Sequence, residues 1–128
     1  MKTLALVAHD KQKASLAAWV SENRDLLGQH KVVATATTGK TIQEFCPGLQ
    51  IRTVASGPMG GDQQIGAMIT EGKIHALIFF PDPLTPMPHD VDVKALLRIA
   101  LVHDVPCAFN RASADLMVHG GLLGARDA

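Results

Sequence analysis

Short runs made only of apolar residues alternate with segments whose apolar residues recur every three to four positions, and the alternation repeats about five times along the chain. Leu4-Ala5-Leu6-Val7-Ala8 has no polar position to turn toward water, so it fits a strand covered on both faces. Asp10 is placed to cap a first helix, whose apolar face is Leu16, Ala17, Trp19 and Val20. Residues 32–36 read as a second strand. Thr37-Thr38-Gly39 then turns the chain into a short helix that ends near Cys46-Pro47-Gly48, and residues 51–54 form a third strand. Past a loop at 56–61, Asp62 opens a helix with Ile65, Met68 and Ile69 on one face and Gly72 at its end. Residues 74–80 make the clearest buried strand; a proline-rich loop at 81–88, a helix over 91–103 and a fifth strand at 105–109 follow. Strand and helix in regular succession specify the α/β class, a parallel sheet between layers of helix.

At 128 residues there is material for one core, so residues 1–128 are read as a single domain, with 119–128 a glycine-rich tail. Twelve basic and twelve acidic side chains cancel. No overall field favours nucleic acid or an anionic membrane as a partner, so any bound anion must be held by a local arrangement. Cys46 and Cys107 are far apart and fit no zinc, haem or redox spacing, which predicts two reduced thiols. The apolar run at the N-terminus is too short for a signal peptide, and no run approaches the ~20 residues that span a bilayer. The expected location is the cytoplasm.

In an open α/β sheet, ligands sit where strands hand over to helices at their carboxyl ends. The unusual polar residues fall at those joints. His9 and Asp10 follow the first strand, and Thr35, Thr37, Thr38 and Gly39 the second. Ser56, Gly57 and Asp62 follow the third, Asp82 and His89 the fourth. The threonines and Gly39 offer hydroxyls and backbone N–H groups beside a helix start, a suitable anion cradle; helix capping by Thr38 is the plainer use of the same residues. The segment nearly matches a nucleotide-binding P-loop but has Ala34 where the first glycine is needed. Ser56-Gly57-Pro58-Met59-Gly60-Gly61 is a second cradle or an ordinary turn. Lys13, one turn into the first helix, could neutralise an anion or simply be solvated.

Asp62 could cap its helix or act as a carboxylate base. His9 and His89 each precede an aspartate, Asp10 and Asp90, with Asp92 slightly further on. A histidine beside a carboxylate can shuttle protons near neutral pH. These spacings make no zinc signature and the cysteines do not join them, so the site is read as free of metal and cofactor. Neither a nucleophile elbow nor a dinucleotide fingerprint is present, which leaves hydrolase and dinucleotide-enzyme readings unsupported.

Five blocks, taken together, closely resemble the methylglyoxal synthase family. They are Leu6-Val7-Ala8-His9-Asp10, Ala36-Thr37-Thr38-Gly39, Ser56-Gly57-Pro58-Met59-Gly60-Gly61-Asp62-Gln63-Gln64, Asp82-Pro83-Leu84 and Pro88-His89-Asp90-Val91-Asp92-Val93-Lys94-Ala95-Leu96-Leu97-Arg98. The match runs in order over residues 4–118. The resemblance implies a three-layer α/β/α sandwich with a five-stranded parallel sheet, assembled as a homohexamer. It also implies a lyase that converts dihydroxyacetone phosphate to methylglyoxal and inorganic phosphate, a glycolytic bypass. In it, Asp62 matches the base that takes a proton from C3 to give an enediolate, and His89 the residue that moves protons among the substrate oxygens. Phosphate then leaves by elimination. His9, Asp82 and Asp92 match positions around the substrate. Lys13, Thr35, Thr37, Thr38, Ser56 and Gly57 match phosphate-binding positions, and Asp10 and Gly39 join them from the same motifs.

This chemistry suits the residues. A carbon acid beside a carbonyl needs a placed base and donors toward the developing oxyanion. The low basicity of an aspartate is offset by desolvation and closeness to the proton. Elimination also needs the C–O bond to phosphate perpendicular to the enediolate plane, an angle the threonine and serine loops are expected to set. The main alternative is a non-catalytic regulatory domain of the same fold that senses a phosphorylated ligand; it would keep the cradle but has no use for Asp62 and His89. Residues 119–128 depart from the family pattern, being glycine-rich and poor helix formers, and Arg126 does not align with the family's C-terminal arginine. Inorganic phosphate is the expected product and, by resemblance, an inhibitor.

Overall fold

Alternate side chains of a strand face opposite ways, and β1 (Thr3–Ala8) shows why it carries so little polarity. Leu4, Leu6 and Ala8 enter one apolar layer, Ala5 and Val7 the other. β1 is central in the computed structural model, which describes residues 2–84 and 90–122, at 90–93 and 121–122 the backbone only. It pairs with β2 (Lys31–Thr35) and β4 (Ala76–Phe80); β3 (Arg52–Val54) and β5 (Cys107–Ala108) are the edges. All pairs are parallel, in the order β3-β2-β1-β4-β5, with Leu6 level with both Ala34 and Ile78.

Helices cover both faces. On the Leu6 face, α1 (Lys13–Glu22) contributes Leu16 and Trp19, α2 (Arg24–Leu27) Leu27, α3 (Ala36–Phe45) Ile42 and α6 (Arg111–Met117) Ala114. On the other, α4 (Gly61–Thr70) contributes Ile65 and Ile69, and α5 (Asp90–Val102) Leu96 and Ala100. The result is the expected three-layer α/β/α sandwich around a five-stranded parallel sheet. None of the described helices is long and apolar enough to cross a membrane. Cys46 is buried in the first layer and Cys107 lies against the second; both are free thiols, and burial pushes the Cys107 thiol up from its ordinary range.

The elements depart from the sequence reading where tertiary contacts decide. Asp10 does not cap α1: Asp10–Gln12 form a 3-10 turn that begins directly after His9, and Asp10 pairs with Lys13 instead. β4 begins at Ala76: Ile74 and Ala76 face opposite apolar layers, so the two-residue alternation of a strand does not yet hold at 74. β5 shrinks to two residues, since Pro106 has no N–H to give and the Val105 N–H closes α5 on the Ala100 carbonyl at 2.9 Å. The short helices α2 and α6 carry too few residues for a legible period. α6 is set by Asn110, whose side chain accepts the Ser113 N–H at 2.9 Å, and it is tied to α1 by Trp19 Nε1–H donating to Asp115 at 2.8 Å. The chain runs on into a π-helical turn, Val118–Leu122, so helical backbone reaches into the glycine-rich tail; Arg126 lies outside the described residues.

Candidate functional site

The chain moves outward from β1 to β2 and β3 through α1 and α3 on one face, then crosses to β4 and β5 through α4 and α5 on the other. The order therefore reverses between β1 and β4, and a crevice is expected at the carboxyl ends of those two strands. His9 leaves β1 and Asp82 leaves β4 at that point, and they are joined. The His9 backbone N–H donates to the Phe80 carbonyl at 3.1 Å, and the Asp82 N–H donates to His9 Nδ1 at 3.0 Å. Because Nδ1 accepts, the neutral ring carries its proton on Nε2. That ring is 6% exposed and stands edge-on to Phe79, centroids 5.2 Å apart. Asp82 Oδ1 accepts the Leu84 N–H at 3.0 Å, an Asx turn that shapes the loop after β4.

The β2–α3 joint adds two buried hydroxyls. Thr35 Oγ1 donates to Thr38 Oγ1 at 3.0 Å, and Thr38 Oγ1 makes a long 3.5 Å contact to the Ala8 carbonyl at the end of β1. Neither threonine side chain caps α3; their hydroxyls tie its first turn to the neighbouring strand end.

At the β3–α4 joint, the Ser56 carbonyl accepts the N–H groups of Met59 at 3.0 Å and Gly61 at 2.8 Å, closing a tight 3-10 turn over Gly57–Met59. Gly60 then takes φ +104°, a left-handed conformation that glycine adopts without strain. Gly61 is needed for a different reason. A Cβ there would overlap the Ala55 carbonyl oxygen outright and stand 2.9 Å from Thr35 Cγ2. The N-terminus of α4 is thus drawn against both the Ser56 loop and the β2–α3 joint. Asp62 comes next, in the first turn of α4 and 3% exposed. The cap position belongs to Gly60, so Asp62 is not held there as a helix cap. The helix dipole favours a negative charge at this position. Sequence reasoning missed one participant: Gln64 Oε1 accepts the Ala55 N–H at 2.7 Å, bridging α4 to the root of the serine loop. Its only signal was membership of the Asp62-Gln63-Gln64 block.

The other expected residues are placed less uniformly. Asp10, 85% exposed, engages Lys13, whose side chain is 15% exposed. Thr37 is exposed, its carbonyl accepting from Thr41 Oγ1 at 3.2 Å. Gly39 is the fourth residue of α3, past the amides that a helix start leaves open, and a Cβ on it would stand 2.7 Å from Thr53 Cγ2. Packing of α3 on β3 is the structural reason for that glycine. His89 lies outside the described residues, as does the side chain of Asp92, whose backbone is in α5. Among the described residues, no three His, Cys, Asp or Glu side chains gather as a metal would require.

A groove of about 1200 Å³ lies at the opposite, amino edge of the sheet, lined by Thr3, Lys31, Arg52, Lys73 and others, and no expected site residue borders it. α3 and α4 end on that side, so basic residues there suit the carbonyl ends of helices. The carboxyl edge offers different chemistry: an enclosed carboxylate in a helix's first turn, a neutral imidazole donor, hydroxyls and a glycine-rich turn. Together they can seat an anion and move a proton beside it.

The MGS-like domain family model matches residues 15–109. Methylglyoxal synthase of Rhizobium etli is 57% identical over 113 residues, covering 88% of this chain and 90% of that protein. Methylglyoxal synthase of Rhizobium meliloti is 56% identical over 117 residues, covering 91% and 93%. The crystal structure of methylglyoxal synthase from Elizabethkingia anophelis superposes with a TM-score of 0.86 at 47% identity, covering 91% of this chain and 76% of that one.

Proposed function

The chain belongs to the methylglyoxal synthase family, and we propose on that premise that its reaction runs at the carboxyl edge of the sheet with Asp62 as the base. It is a lyase that converts dihydroxyacetone phosphate to methylglyoxal and inorganic phosphate. Lys13, Thr35, Thr37, Thr38 and the Ser56-Gly57 turn receive the phosphate. Asp62 takes the C3 proton, leaving an enediolate. His9 donates its Nε2–H toward the developing oxyanion, with the Asp82 backbone N–H holding the ring in that tautomer. His89 and Asp92 manage protons among the substrate oxygens. The C1–O bond then breaks, its electron pair leaving with phosphate, and the enol tautomerises to methylglyoxal.

The observation that carries this reading is the burial of Asp62, 3% exposed in the first turn of α4, next to Gly61, which packs against the Ala55 carbonyl and Thr35. A sensing domain would have no use for an enclosed carboxylate beside an anion seat. The test is release of phosphate from dihydroxyacetone phosphate together with trapping of methylglyoxal. Equal formation of both is expected, falling at least about 1,000-fold in Asp62→Asn while phosphate still binds. Saturable phosphate binding without turnover in the unsubstituted chain would instead favour a regulatory domain.

The same reading includes a single domain over residues 1–128, a homohexamer, a cytoplasmic location and inhibition by inorganic phosphate. Leu101, Val102 and Leu116 are 76%, 73% and 77% exposed, apolar surface that an assembly would cover.

A further inference from the structure

We infer that Gln64 is a positioning residue that sets the angle between the bound phosphate and the base, by tying the Ser56-Gly57 turn to the helix that carries Asp62. This rests on the proposed site. Gln64 Oε1 accepts the N–H of Ala55, the residue immediately before Ser56, at 2.7 Å. Because Gln64 and Asp62 are two apart on α4, their side chains leave the helix on different sides: Asp62 is buried, Gln64 exposed. Gln64 therefore acts through the backbone of the turn.

The bond matters because two steps of the reaction differ in what they demand. Removing the C3 proton requires the base to reach it with the C3–H bond aligned to the carbonyl π system, a demand set at the hydroxymethyl end of the substrate. Elimination also requires the C1–O bond to stand perpendicular to the enediolate plane, so that the electron pair can pass into it. The turn would hold the phosphate and α4 carries the base, with the left-handed Gly60 as a pivot between them. Without the Gln64 bond the turn keeps its Ser56 carbonyl on the Gly61 N–H but loses the tie at Ala55, and can tilt against α4. The enediolate then still forms, but more of it takes a proton back at C3 and returns as substrate.

The experiment runs the reaction in D2O, reading deuterium at C3 of recovered dihydroxyacetone phosphate against phosphate released. In Gln64→Leu the ratio of label to phosphate rises about three- to tenfold, the range set by one lost hydrogen bond. Gln64→Glu keeps an acceptor oxygen, so the ratio returns to that of the unsubstituted chain at saturating substrate, with KM raised by the added negative charge. Label and phosphate falling by the same factor in Gln64→Leu, an unchanged ratio there, or a raised ratio in Gln64→Glu would overturn the inference. An unsubstituted chain that releases no phosphate overturns the proposed function, and this inference with it.

Discussion

Thr38 is fully buried, and its hydroxyl accepts from Thr35 while reaching toward the Ala8 carbonyl. A buried donor that loses its partner costs more than the net worth of the bond, because its desolvation is no longer offset. Thr38→Val keeps the shape and strands the Thr35 hydroxyl, so a loss of about 1–3 kcal/mol is expected in a urea titration. Valine at both 35 and 38 removes donor and acceptor together, and should cost less than Thr38→Val alone. His9 makes a related point. As a loop histidine its ring could carry the proton on either nitrogen, and the Asp82 N–H, 73 residues away, assigns it to Nε2.

α4 is the element on which the site turns, and the two glycines before Asp62 have different reasons to be glycine. Gly60 requires a positive φ, which costs another residue roughly 1–2 kcal/mol. Gly61 requires absence of volume, since the Ala55 carbonyl oxygen occupies the place of its Cβ. Gly61→Ala must therefore shift backbone against backbone, and a loss of at least about 3 kcal/mol, larger than for Gly60→Ala, is expected by denaturation. Its activity should fall further than its stability explains, because the displacement separates Asp62 from the serine turn. The diglycine was legible as a loop before a helix; the two separate causes were not.

Across the whole molecule, the sheet divides the apolar interior into two layers that share its strands. Ile78 faces the layer of Trp19, while its neighbour Leu77 faces the layer of α4 and α5. Trp19 is the single tryptophan, so its fluorescence reports on one layer directly. Leu77→Ala, on the far side, should destabilise by about 2–5 kcal/mol and move the Trp19 transition and the far-UV CD transition together. Separate midpoints would show the layers unfolding independently.

Apolar runs and periodic segments were enough to specify the α/β class, the parallel sheet and the placing of polar residues at strand ends, because burial on two faces leaves a local signature in composition. The family was legible as well, from motif blocks that keep their order along the chain. Local pattern could not decide Asp10, which stands where a cap is expected and pairs with Lys13 instead, nor the two-residue β5, nor α2 and α6, which are too short to show a period. Nor could it reveal the joins that build the candidate site: His9 to Asp82, Thr38 to Ala8, Gly61 against Ala55, Gln64 to Ala55. Those depend on which strands lie side by side and how closely backbones approach, and such distances exist only once the sheet has assembled.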